Sequence, residues 1–165
     1  MVAAAAGLFS IVQYMLESGA NINAQDSAGM TPLMKACSLV IDAESLLETI
    51  RLLLERGASV TLVNHSGETA LEIACYLTRT HHHKYSIIQL LLSNGSTPYK
   101  TSNLSESLLC PLFLQHDFEC CEILQRHGAT APSASDMRLM TNKAVQDDNA
   151  SGLKYASQLG APPKC

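Results

Sequence analysis

No stretch of this chain is apolar for long enough to cross a bilayer, so no membrane-inserted segment is expected. Lysine and arginine are scarce, 11 in 165 residues against 15 acidic ones, and they form no basic run. The net charge of −4 and that scatter argue against a surface that tracks nucleic-acid phosphates. The amino-terminal residues MVAAAAG lack the basic segment and following apolar stretch of a secretory signal. A glycine-rich phosphate loop is absent, as are a serine in a glycine elbow and a cysteine paired with a positioned histidine. The pattern therefore supports no enzyme, no small-molecule substrate and no cofactor.

Six cysteines would suggest a disulfide framework in a secreted domain, but Cys120 and Cys121 are adjacent and Cys165 ends the chain. With no signal segment, an intracellular, reducing compartment is expected, cytoplasmic or nuclear. The most tempting metal ligands are His81, His82 and His83, yet no acidic or cysteine partner lies nearby in sequence, so a solvated loop and no metal site are expected. His116 precedes Cys120 by four residues and could share a helix face with it, but two ligands do not make a structural zinc site. The acidic pairs Asp147 with Asp148 and Asp117 with Glu119 read as helix-start or surface charges.

What the chain does contain is a folding composition, 47% hydrophobic and 16% charged, organised by an internal repeat. The segment from Ile11 to Ala20 returns from Thr49 to Ala58, from Ile87 to Ser96 and from Cys120 to Ala129, and a faint fifth copy ends at Gly160 and Ala161. Gly19, Gly57, Gly95, Gly128 and Gly160 fall 38, 38, 33 and 32 residues apart.

Each copy has a physical grammar. Asp26-Ser27-Ala28-Gly29 and Asn64-His65-Ser66-Gly67 are turn sequences, with Asp or Asn bonding local backbone. Thr31 followed by Pro32, and Thr69 followed by Glu72 three residues on, are helix starts. The small pairs Ala36-Cys37 and Ala74-Cys75 suit a short helix pressed against neighbours. Stacked helices stand about 8–10 Å apart, beyond the roughly 7 Å reach of a disulfide, so Cys37 and Cys75 are expected to be free and buried. A leucine-rich second helix then ends at Gly57 or Gly95. The five extra residues of the second and third copies fall around Leu39 to Leu46 and Leu77 to Ser86, between the helices, and should leave the turns in register.

With Thr31-Pro32-Leu33-Met34-Lys35-Ala36-Cys37 in place of its signature, the chain resembles the ankyrin repeat family, best over residues 3–98. The resemblance implies an all-α solenoid of stacked helix-turn-helix units with turn or β-hairpin fingers. The whole chain, 1–165, reads as one array, with units near 1–25, 26–63, 64–100, 101–131 and 132–165. In the fourth copy Ser107-Leu108-Leu109 stands where Thr-Pro-Leu is expected; the fifth, around Ala144 and Val145, keeps mainly the helix lengths and fits a terminal cap. Ala3 and Ala4 align with the middle of a first helix, which suggests a longer protein or a truncated product, with Ile11 and Met15 exposed along one flank.

The family's function implies a scaffold or adaptor that binds a partner protein on its concave surface. The alternative is the recognition arm of a larger protein, such as a ubiquitin-ligase adaptor or regulatory subunit. The family's partner-facing positions flank the turn glycine and follow the small-residue pair. They carry over to Ser27, Ala28, Met30, Ser38 and Leu39, to His65, Ser66, Glu68, Tyr76 and Leu77, and to Asn103, Glu106 and Gln115 in the fourth copy.

Overall fold

The computed structural model describes residues 1–38, 44–77, 83–98 and 107–159. Helix α1 (Val2–Ala5) and α2 (Phe9–Glu17) form the first copy, α3 (Pro32–Cys37) and α4 (Glu44–Glu55) the second, α5 (Ala70–Cys75) and α6 (Lys84–Ser93) the third. Copies four and five follow as α7 (Leu109–Leu114) with α8 (Phe118–Arg126) and α9 (Ala134–Gln146) with α10 (Ala150–Gln158). No strand occurs among the described residues, and the fingers are turns. The chain divides into two compact units, Met1–Thr97 and Pro98–Cys165.

In the first unit the short helices α1, α3 and α5 stack in one row, and α2, α4 and α6 pack in a second row behind them. This is the helix-turn-helix solenoid that the repeat implies. The starts of the short helices follow from their caps. Thr31 Oγ1 accepts the N–H of Met34 at 3.2 Å, with Pro32 at the first helical position. Thr69 Oγ1 accepts the N–H of Glu72 at 3.3 Å, while Glu72 Oε2 accepts the N–H of Thr69 at 2.7 Å. Two otherwise orphaned donors are thus satisfied reciprocally, which is how a buried carboxylate is tolerated here. Ala36, Cys37, Ala74 and Cys75 are fully buried, as close packing of six-residue helices requires.

The second helices end alike. At the end of α4 the N–H of Ala58 reaches the carbonyl of Leu53 at 2.9 Å and that of Gly57 reaches Leu54 at 3.0 Å, with Gly57 at φ +87°. This bond pair returns at Gly19, Gly95 and Gly128, so the glycine spacing records helix ends. On the amino-terminal flank Ile11 and Met15 are exposed, as expected.

The expanded segments lie largely outside the described residues, as do His81 and His82; His83 directly precedes α6. Lys84, at the first position of α6, is fully buried and its Nζ donates to the carbonyl of Leu77 at 2.7 Å, tying the start of α6 to the exit from α5.

In the second unit α7 packs on α8 and α9, and α9 on α10. The cap position of α7 is Leu108, which has no side-chain cap bond; Ser107, one residue earlier, accepts the N–H of Leu109 on its Oγ at 3.1 Å and donates to the carbonyl of Thr130 at 2.9 Å. The fifth copy departs from the expected helix lengths, because α9 has 13 residues where α3, α5 and α7 have six. Ser133 and Asp136 cap its start reciprocally, and Met140 and Ala144, one turn apart, keep one face buried through the added length. His116 shares no helix face with Cys120: it lies before α8 with φ +60°, in a turn where Asp117 N–H returns to the carbonyl of Leu112 at 2.9 Å. Asp117 is the helix-start charge expected, capping the N–H of Cys120 at 3.2 Å, whereas Asp147 sits at the end of α9.

Candidate functional site: the finger surface

The fingers are built by one side chain each. Asp26 Oδ1 accepts the N–H groups of Ala28 and Met30, both at 2.9 Å, and the backbone closes through Gly29 N–H to Asp26 O at 2.9 Å. In the next copy Asn64 Oδ1 takes the N–H groups of Ser66 and Glu68 at 2.9 Å, and Gly67 N–H closes on Asn64 O at 2.9 Å. Asp and Asn both serve for these two bonds because each carries an Oδ1 oxygen on Cγ, two carbons from the backbone.

The two fingers are joined. His65 N–H donates to the carbonyl of Ala28 at 3.0 Å, and the Gln25 side-chain amide bridges the carbonyls of Gly29 at 2.7 Å and Val63 at 2.9 Å. The first expansion therefore leaves these fingers in register. Asn64 spends its amide on Glu68 Oε2 at 2.9 Å and on the Met30 thioether at 3.5 Å, so Met30 and Glu68 converge on one buried asparagine.

Electrostatically the first finger is self-contained. Lys35 Nζ lies 2.9 Å from Asp26 Oδ2. That ammonium hydrogen bond, followed by the N–H groups of Met30 and Ala28, holds the Asp26 carboxyl down at about 2.

Of the positions expected to face a partner, Ser27, Ala28, His65 and Ser66 are exposed at the finger tips, and Met30, Ser38 and Glu68 are half-buried. Tyr76 ends α5 with 38% of its surface exposed. Leu77 is buried, turned inward beside the carbonyl that Lys84 engages, and so offers no surface. Gln115 is exposed at the end of α7 in the second unit; Leu39, Asn103 and Glu106 lie outside the described residues. Sequence reasoning missed Gln25 and Lys35, which hold the fingers without standing at a turn position. The signal for Lys35 was its place one turn into the helix after Pro32, on the side facing Asp26.

The chemistry of this surface is hydroxyl, imidazole, phenol, thioether and one carboxylate. Cys37, Cys75, Cys110, Cys120 and Cys121 are buried and in no disulfide, and burial pushes the Cys37 thiol up to about 12, which withholds it as a nucleophile. Among the described residues no group of three or more His, Cys, Asp or Glu side chains is placed to hold a metal ion. No described helix is long and apolar enough to cross a membrane.

A family model described as ankyrin repeats, three copies, matches residues 1–103. No curated protein sequence matches the chain.

Proposed function

Because the chain belongs to the ankyrin repeat family, whose repeats are generally protein–protein interaction modules, we propose that it is a scaffold or adaptor that holds a partner protein across its fingers and the exposed side of its short helices. The observation that carries this reading is the pair of joined fingers, which present Ser27, Ala28, His65 and Ser66 side by side on backbone fixed by Asp26, Asn64 and Gln25. Side chains on a rigid support lose little further freedom on binding. Met30 and Tyr76 supply the apolar and aromatic contact area that protein interfaces favour. Ser38 and Glu68 extend the contact set of the first unit, and Gln115, exposed in the second unit, is a contact of the fourth copy in its own right. Five buried cysteines in no disulfide suit a reducing, intracellular location.

The test replaces Met30 and Tyr76 by Asp together and compares capture of partners from native-cell extract with that of the unchanged chain, partners being identified by mass spectrometry. The reading expects an unchanged helical signal and loss of specific capture. Retained capture, or loss of capture only through unfolding, would mean that the surface lies elsewhere.

A further inference from the structure

Copies four and five meet at two helix-to-helix turns that carry non-glycine residues in left-handed conformation, His116 at φ +60° and Asp148 at φ +47°. Their side chains and neighbours interlock. Nδ1 of His116 lies 2.9 Å from Nδ2 of Asn149, and its Nε2 lies 3.3 Å from Oδ2 of Asp147. Asn149 caps α10, its Oδ1 accepting the N–H of Gly152 at 3.0 Å. The atom it turns to His116 is therefore the amide nitrogen, which can only donate. Nδ1 must accept, and the ring proton sits on Nε2, where the Asp147 carboxylate receives it.

We propose that His116, as a neutral imidazole protonated at Nε2, is a latch between copies four and five, and that a second proton, on Nδ1, opens it. That proton sets N–H against N–H. Asn149 could meet it with its oxygen only by uncapping α10. The gain at the other side of the ring is small, because Asp147 Oδ1 already holds Lys143 Nζ at 3.0 Å and the pair is open to solvent. The groups facing the imidazole are Asp147 and, through it, Lys143 from α9, Asn149 from the turn before α10, and the Phe118 ring of α8 at 6.2 Å, edge-on. The carboxyl of Asp117, next in the chain, is turned to the cap of α8.

The test uses the 165-residue chain. Long-range proton–nitrogen NMR reads the tautomer, and amide exchange, corrected for intrinsic rates, reads the protection of α10. Asn149→Ser keeps an oxygen for the α10 cap and replaces the amide nitrogen that reaches Nδ1 by a shorter hydroxyl; Asn149→Asp keeps the cap and gives Nδ1 an acceptor. The latch requires the Nε2–H tautomer at pH 8 and at least about threefold loss of α10 protection in Asn149→Ser. It also requires protection to fall on acidification in the unchanged chain and to rise in Asn149→Asp. His116→Gly relieves the turn while deleting the ring; adding Asn149→Ser to it should cost nothing more. An Nδ1–H tautomer, protection that grows on acidification of the unchanged chain, or additive losses in the double variant each overturn the proposal.

Discussion

The backbone N–H of His65 donates to the carbonyl of Ala28, and the close approach it demands leaves no room for a side chain at Gly29. A Cβ there would stand 2.8 Å from both the nitrogen and Cδ2 of His65, and the residue's φ is +75°. The backbone conformation and the neighbouring finger thus ask for glycine independently. Gly29→Ala should destabilise the first unit by about 2 kcal/mol or more, from left-handed strain plus the clash. Urea unfolding gives the magnitude, and an unmoved His65 amide resonance would show that the fingers never depended on this contact.

Asp26 makes stability depend on acid. Its folded carboxyl is held at about 2, against an ordinary 3.8, chiefly by Lys35 and then by the N–H groups of Met30 and Ala28. The unfolded chain therefore binds the proton more readily than the folded one, and stability falls as pH drops from about 4 towards 2. Asp26→Asn should keep the finger, since Asn64 makes the same two 2.9 Å bonds one copy later, and should flatten that part of the pH profile. Equal acid sensitivity in the variant and the unchanged chain would assign the effect to other carboxyls.

Much of this fold could be read from residue order because the determining interactions are local. Thr31, Pro32, Thr69 and Glu72 act within one helical turn, and Gly19, Gly57, Gly95 and Gly128 close helices on carbonyls a few residues back. The joined fingers, by contrast, rest on bonds between residues far apart in sequence, His65 to Ala28 and Gln25 to Val63, for which no spacing rule exists. Leu77 was placed on the surface by register and lies inside, at an exit from α5 whose carbonyl is held by Lys84, seven residues on, a bond that register does not reveal. The 13-residue α9 escaped for a similar reason: nothing local stops it after Met140, so the shorter first helix of the other copies gave no guide.

The leucines of the long helices carry the stacking energy. Leu53 and Leu91 are buried in α4 and α6. Replacing either by Ala should cost about 2–5 kcal/mol, with the spread set by how far the surroundings collapse. Protection from amide exchange should fall across the first unit rather than in one copy, because each copy stabilises its neighbours. A loss below about 1 kcal/mol at both positions would remove them from the core.

Gly152, on the first turn of α10, is fixed by packing rather than by backbone conformation. A Cβ on it would lie 3.2 Å from that of Ala144 and 3.3 Å from Cζ of both Phe113 and Phe118. Those two rings meet edge-on with centroids 5.3 Å apart, and Tyr155 closes the cluster at 6.1 Å from Phe113 and 5.9 Å from Phe118. Alanine here gains up to about 1 kcal/mol of helix propensity and asks its neighbours to yield only a few tenths of an ångström, so the two effects nearly cancel. Valine adds two methyl groups against rings that cannot all move, and should cost about 1–3 kcal/mol by overpacking. Near-ultraviolet circular dichroism follows the aromatic cluster while thermal unfolding follows stability. The expected order is Gly152→Val least stable with an altered aromatic signal, and Gly152→Ala within about 1 kcal/mol of the unchanged chain. A valine variant that unfolds at the same temperature would mean that α10 does not press on these rings in solution.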